Sequence, residues 1–249
     1  EVDPGNQYAV PYLWGTVGIG INVDKVRAVL GEDVALDSWD LLFNPEYMAK
    51  LASCGVSFLD SPSEVYPLAL FHLGKNPNSL DEADYTGAAN DLLMKIRPHI
   101  RKFSSSEYIN SLADGEICVA MGFSGDIGIA KARAEEAGNG VNIRYIIPKE
   151  GTEIWFDSLA IPADAPNPES AHVFIDYMLR PEVIAAVTDF VTYPNPNKEA
   201  TALVDKSLSG DPLVYPPQEQ IDRMFGLSPK PPKVERVMTR AWTKFKTGR

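Results

Sequence analysis

Apolar and polar positions along the chain switch repeatedly between the two-residue period of a strand and the 3.6-residue period of a helix. Residues 8–23, YAVPYLWGTVGIGINV, mix aromatic, β-branched and glycine residues and predict two short strands broken at Gly15, Gly18 and Gly20. A short helix over 25–30 follows, capped by Asp24, then a helical pattern from Ser38, SWDLLFNPEYMAKL, broken near Pro45. CGVSFL, residues 54–59, predicts a buried strand. The strongest helix signal covers 61–73: Ser61 at the N-cap, Pro62 in the first turn, Glu64 completing an S-x-x-E capping box, and Gly74 as the stop. Helices are also expected over 84–100 and from Ser106 to Gly115, then a strand over 117–121 and a helix over 126–137 ended by Gly138. Strands over 141–147 and 153–161 are joined by a turn at 149–151. Helices over 168–179, capped by Asn167, and from Pro181 to about Val191 precede a helical tail broken at Pro212, Pro216 and 229–232. Strands alternating with helices predict an α/β protein, and the absence of a proline- or serine-rich linker predicts that any two lobes are joined by crossing strands.

Composition narrows the class. Of the 249 residues 45% are hydrophobic and 23% charged, too apolar for a disordered chain, and no apolar run approaches the roughly 20 residues that span a bilayer. Acidic residues number 34 against 23 Lys and Arg, a net charge of -11, so the basic footprint of a nucleic-acid binder is missing and small cations are the better-matched partners. The short basic cluster at 240–249 reads as a solvated helix face. With Cys54 and Cys118 far apart, three histidines and no CxxC pair, zinc-finger spacing is excluded; one disulfide and two free thiols both remain open on composition. Residues 1–7 are polar and carry no signal-peptide pattern, so either a targeting segment has been removed or the chain begins inside a larger protein.

Familiar catalytic motifs fail on inspection. GTVGIG at 15–20 has GxxGxG spacing and no following Lys-Ser/Thr, which argues for close backbone approach rather than phosphate binding. GFSGD at 122–126 puts Asp126 where a nucleophile elbow needs its second glycine. A carbohydrate-active hydrolase needs only two carboxylates across a bond, and the acid-rich sequence leaves that alternative standing. What stands out instead is a set of carboxylates at element ends beside aromatic residues: Glu64 opening a helix after a strand, Asp126 doing the same just after Phe123, Asp157 following Trp155 and Phe156, and Tyr193 after a helix. Ligands of open α/β sheets sit at such strand ends.

Six segments, VPYLWGTVGIGINVDKV, SFLDSPSEVYPLAL, YINSLADGEICVAMGFSGD, IPKEGTEIWFDSLAIP, FIDYMLRPEVIA and RAWTKFKTGR, occur in an order that resembles the periplasmic spermidine/putrescine-binding proteins of bacterial polyamine ABC transporters. The resemblance runs over essentially the whole chain. It implies a type II periplasmic binding protein, two α/β lobes with crossing strands and a ligand clamped between them, and an N-terminally incomplete chain lacking roughly the first hundred mature residues. On that scheme residues 1–15 are a remnant of lobe 1 and the hinge, 16–142 lobe 2, 143–195 the return to lobe 1, and 196–249 C-terminal helices. The elements after Val141 should then leave apolar faces uncovered.

The resemblance further implies no enzymatic activity, no cofactor and no metal, but capture of a polyamine and delivery to an ABC permease, by a monomer in the periplasm. Carried over by position, the ligand set is Glu64, Ser105, Phe123, Asp126, Trp155, Asp157 and Tyr193, with Cys54 and Cys118 disulfide-bonded. Carboxylates pair the ammonium groups of such a ligand and aromatic faces cover its methylenes. Trp155, where the family also shows phenylalanine, and the smaller Phe123, where tryptophan is often found, together predict spermidine ahead of putrescine. A binding protein for another small solute is the nearer alternative.

Overall fold

The structure, a computed structural model, describes residues 3–248. Its strands are β1 (Ala9–Asn22), β2 (Val56–Phe58), β3 (Lys102–Phe103), β4 (Val119–Phe123), β5 (Ile143–Ile146) and β6 (Ile154–Ala160). The helices are α1 (Val23–Leu30), α2 (Asp40–Phe43), α3 (Pro45–Leu51), α4 (Pro62–His72), α5 (Glu82–Thr86), α6 (Ala88–Ile96), α7 (Tyr108–Ala113) and α8 (Ser124–Ala137). They continue with α9 (Pro168–Met178), α10 (Pro181–Val191), α11 (Lys198–Thr201), α12 (Lys206–Ser209), α13 (Gln218–Ile221) and α14 (Pro232–Thr247).

The two strands expected over 8–23 are one strand of 14 residues. Its glycines do not break it; they clear space for side chains arriving from elsewhere. A Cβ on Gly15 would stand 2.6 Å from the Trp155 ring, and one on Gly18 would stand 2.5 Å from the Ile146 carbonyl oxygen. β1 therefore crosses the molecule. Its first half pairs antiparallel with β6, from Ala9↔Ala160 to Thr16↔Ile154, with an irregularity between Pro11 and Leu13. Its second half lies between β4 and β5, antiparallel to both. Parallel pairing of β4 with β2 and of β2 with β3 completes the order β3-β2-β4-β1-β5. Since β5 and β6 follow one another along β1, the chain makes its crossing twice, as the type II architecture requires.

Burial follows the same division. The second half of β1 is fully buried and joins the large core, which holds Trp39, Phe43, Phe58, Tyr66 and Tyr85. α14 adds Met238, Trp242 and Phe245 to this core. A smaller core gathers Leu13 of β1 with Ile184 and Ala185 of α10, Ala200 and Val204. Beyond it α9 has no buried residue, and Phe190 of α10 is 85% exposed, so an apolar face of these two helices stands uncovered.

Local chemistry explains where boundaries moved. α1 is capped by Asn22 rather than Asp24, the Asn22 side chain accepting from the Lys25 backbone N–H at 3.2 Å. The helix expected over 84–100 is α5 and α6, separated at Gly87, whose φ -106 and ψ -113 are not helical. The turn after α3 is tied to the start of β4 by the Cys54–Cys118 disulfide, with the Cα atoms 5.5 Å apart.

Candidate functional site

Where the two cores meet, a cavity of about 400 Å³ is lined by Glu64, Ser105, Phe123, Asp126, Glu153, Trp155, Asp157 and Tyr193. The seven residues singled out in the sequence thus converge on one space, joined by one that was not, Glu153. All its charged groups are acidic. A larger groove, about 580 Å³ along α8, mixes both signs of charge through Lys131, Glu135, Arg144 and Asp211. The uniform charge of the smaller cavity makes it the candidate site.

Asp126 is the most firmly held of the acids. It sits in the first turn of α8, immediately after β4, where the helix dipole favours an anion. Two tyrosine hydroxyls donate to it, Tyr108 to Oδ2 and Tyr193 to Oδ1, each at 2.7 Å. Each hydroxyl also accepts a backbone N–H, Tyr108 from Phe123 at 3.0 Å and Tyr193 from Asp126 at 3.3 Å. Burial first, and then the charge of Asp126, push both phenols far above their ordinary range, so they stay protonated donors at any physiological pH.

Tyr193 reaches this position because Thr192, at φ 57, ends α10 in the left-handed region that β-branched residues seldom enter. Its hydroxyl donates to the Gly125 carbonyl at 2.8 Å. A Cβ on Gly125 would lie 2.5 Å from the Tyr193 ring, so this contact demands glycine.

The aromatic wall is built around Trp155. Phe123 meets it edge-on at 5.9 Å between ring centroids, and Tyr193 meets it at 5.2 Å. The Trp155 indole N–H is buried and has no acceptor among the described residues. Asp157, two residues further along β6, is exposed on the same face of the strand. Ser105 is exposed, and its hydroxyl accepts the Asp60 backbone N–H at 3.1 Å. Asp60 is in turn fixed by Lys246 of α14 at 2.7 Å, so the turn into α4 is anchored from the chain's last helix.

Glu64 departs from its expected structural part. Ser61 stands at the N-cap, but no side-chain hydrogen bond closes the capping box, and Glu64 Oε2 is buried with no partner. Glu153, which lines the same cavity, is only 2% exposed, and its Oε2 too has no partner among the described residues. Burial, reinforced by the charge of Glu64 and partly offset by Lys230, pushes the Glu153 carboxyl up to about 8. Between its ordinary 4.5 and about 8 the folded protein retains a proton that the unfolded chain has lost, so stability falls as pH rises through that window. Glu153→Gln should therefore stabilise the free protein by about 4 kcal/mol at pH 8 and by under about 1 kcal/mol at pH 5. Denaturant melts of both proteins at the two pH values check this; equal gains at both would contradict it.

Two members of the site escaped the sequence reading. Tyr108 lies in a helix with no local sign of a buried polar partner. Glu153 had a signal: alternation along a strand puts 153, 155 and 157 on one face, which makes it a neighbour of the acid–aromatic pair.

Residues 3–216 match the family described as bacterial extracellular solute-binding protein. The chain belongs to that family. It is 55% identical to the putrescine-binding periplasmic protein PotF of Escherichia coli, over 99% of this chain and 67% of the relative. It is 51% identical to the putrescine-binding periplasmic protein SpuD of Pseudomonas aeruginosa, again over 99% and 67%. Among solved structures, the spermidine/putrescine ABC transporter substrate-binding protein PotD of Streptococcus pneumoniae superposes with a TM-score of 0.78 at 29% identity, covering 99% of this chain and 71% of the other. These relatives are binding components of transport systems, not enzymes, and the curated ones are periplasmic by name. Among the described residues no helix is long and apolar enough to cross a membrane.

Proposed function

We propose that this protein captures a linear polyamine in the periplasm and presents it, as a monomer, to the permease of an ABC transporter. One observation carries the reading: a cavity whose charged lining residues are all acidic and whose other walls are mostly aromatic. A polyamine is a flexible apolar chain with ammonium groups spaced along it. Asp126, pre-oriented by two hydroxyl donors, and Asp157 pair the ammonium groups, Ser105 adds a polar contact, and Trp155 with Phe123 and Tyr193 covers the methylenes. Carboxylates and aromatic faces could also receive a sugar, but a neutral sugar brings no cation to offset four acids gathered in one cavity, whereas a polyamine does.

Calorimetric titration of the full chain with spermidine, putrescine, a neutral sugar and an amino acid tests the proposal. Heat is expected with the two amines alone; heat with the sugar alone would overturn it. Sedimentation or light scattering before and after saturation tests the monomer.

Between the polyamines, our reading favours spermidine. The names of the two curated relatives support putrescine. The aromatic set supports the longer ligand: an indole at 155 presents more surface than a phenyl ring, and the modest Phe123 leaves length along the cavity. Each further methylene buried contributes up to about 0.8 kcal/mol. Trp155→Phe is accordingly expected to cut the spermidine-to-putrescine affinity ratio by roughly twofold to thirtyfold, the free-energy difference of a cation–π face at about 0.5–2 kcal/mol. An unchanged ratio by calorimetry would show that selectivity lies elsewhere.

A further inference from the structure

Asp126 is explained by its two hydroxyl donors; the pair at Glu64 and Glu153 has no such account. Both belong to the cavity lining, one from the first turn of α4 and one just before β6. Both present a buried carboxyl oxygen with no hydrogen-bond partner among the described residues. Glu153 is held there with little freedom. Its carbonyl accepts the Val17 N–H at 3.1 Å, the flanking Ile154 N–H donates to the Phe225 carbonyl at 2.9 Å, and Gly151 before it, at φ 110, would place a Cβ 2.1 Å from the Arg223 carbonyl oxygen. Structural acids of this burial are ordinarily satisfied by an arginine, a lysine or backbone donors. Here the nearest charges are Glu64, which repels, and Lys230, which attracts and is itself shared with Glu235. Asp126 and Asp157 add negative charge from the rest of the cavity wall.

We infer that Glu64 and Glu153 form an additional ammonium subsite, in which Glu153 sheds a proton to solvent as the cation enters; this rests on the polyamine reading above. A cation between the two carboxyl groups supplies donors to both vacant oxygens and offsets the repulsion that arises between them once Glu153 is charged. The exchange balances: the ligand arrives with its ammonium protonated and keeps that proton, while the carboxylic proton of Glu153 passes to buffer. The upward displacement of Glu153 by burial supplies the proton to be lost near neutrality. Glu153 is thereby a specificity residue as well: a ligand with a third ammonium fills this subsite while two others occupy Asp126 and Asp157, whereas a diamine leaves one of the three vacant.

The test is spermidine binding by isothermal calorimetry on the full chain and on Glu153→Gln, at pH 7 in phosphate and in Tris, whose ionisation enthalpies differ. The unaltered protein should show an enthalpy that depends on buffer, with close to one proton released per spermidine, and affinity that rises by up to about tenfold per pH unit from pH 6 to 8. Glu153→Gln should bind spermidine at least tenfold more weakly, show no buffer dependence, and lose the rise with pH, while putrescine binding changes less. A melting curve confirms that the variant is folded. Buffer-independent enthalpy in the unaltered protein, or equal spermidine affinity in the variant, would overturn the subsite and leave polyamine capture standing. Absence of heat with either amine would overturn polyamine capture itself, and the subsite with it.

Discussion

Replacing Asp126 by asparagine is expected to weaken polyamine binding by about 30-fold to 5,000-fold while leaving the fold nearly as stable as before. The substitution keeps the shape of the side chain and removes the charge. Truncating one partner of a buried, hydrogen-bonded charge pair costs roughly 2–5 kcal/mol, since the other charge is left desolvated and unpaired. Tyr108 and Tyr193 can still donate to the asparagine oxygen or accept from its amide, each having been a donor to Asp126 and an acceptor of a backbone N–H. Tyr193→Phe makes the companion measurement: it retains the charge, removes one orienting donor, and should cost only about tenfold, the worth of a single hydrogen bond to a charged group. If the two variants bind alike, the ammonium is not seated on Asp126.

The second large effect falls on stability. Cys54 and Cys118 close a loop with a sequence separation of 64, and Cys118 is fully buried against the large core. Cross-linking a loop of that size removes about 4 kcal/mol worth of entropy from the unfolded chain in the loop-closure model. Cys54→Ser with Cys118→Ser should lower the free energy of unfolding by about 3–4 kcal/mol; serine at 118 adds the cost of a buried hydroxyl, so an alanine pair gives the cleaner value. Equilibrium urea unfolding, with alkylation of the native protein to confirm that neither thiol is free, provides the measurement. A loss below about 1 kcal/mol would mean that the unfolded chain is already held compact by other contacts.

Much of this architecture could be read from the chain because local signals and tertiary packing agree. α4 runs within a residue of its expected ends since Ser61, Pro62 and Gly74 mark them by backbone geometry alone. The same helix shows where such reading stops. The capping-box pattern identified the helix start correctly, yet Glu64 makes no capping bond, because its carboxyl group is drawn into the cavity. β1 was misjudged for a related reason. Glycine in a strand reads as a break in one dimension, whereas Gly15 and Gly18 exist to let Trp155 and Tyr145 lie against the backbone, contacts with residues more than a hundred positions away.

The candidate site was legible to the extent that its chemistry is written in side-chain type: four acids, three aromatic residues and a serine, seven of them recognised through the ordered segments that carry the family resemblance. The clamp on Asp126 was not, since nothing in YINSLADGE marks the Tyr108 hydroxyl as pointing into β4. Glu153 has only its place in the strand alternation to mark it, because the acid–aromatic pattern of the WFDS segment begins two residues later.

The central claim, that a polyamine lies along Trp155 with its ammonium groups on the surrounding acids, is tested most directly by a crystal structure of the full chain grown with spermidine. The account predicts an extended aliphatic density against the Trp155 indole, one nitrogen within hydrogen-bond distance of Asp126, one at Asp157, and one between Glu64 and Glu153. Spermidine bound with its methylenes away from Trp155, or with no nitrogen near Asp126, would contradict it.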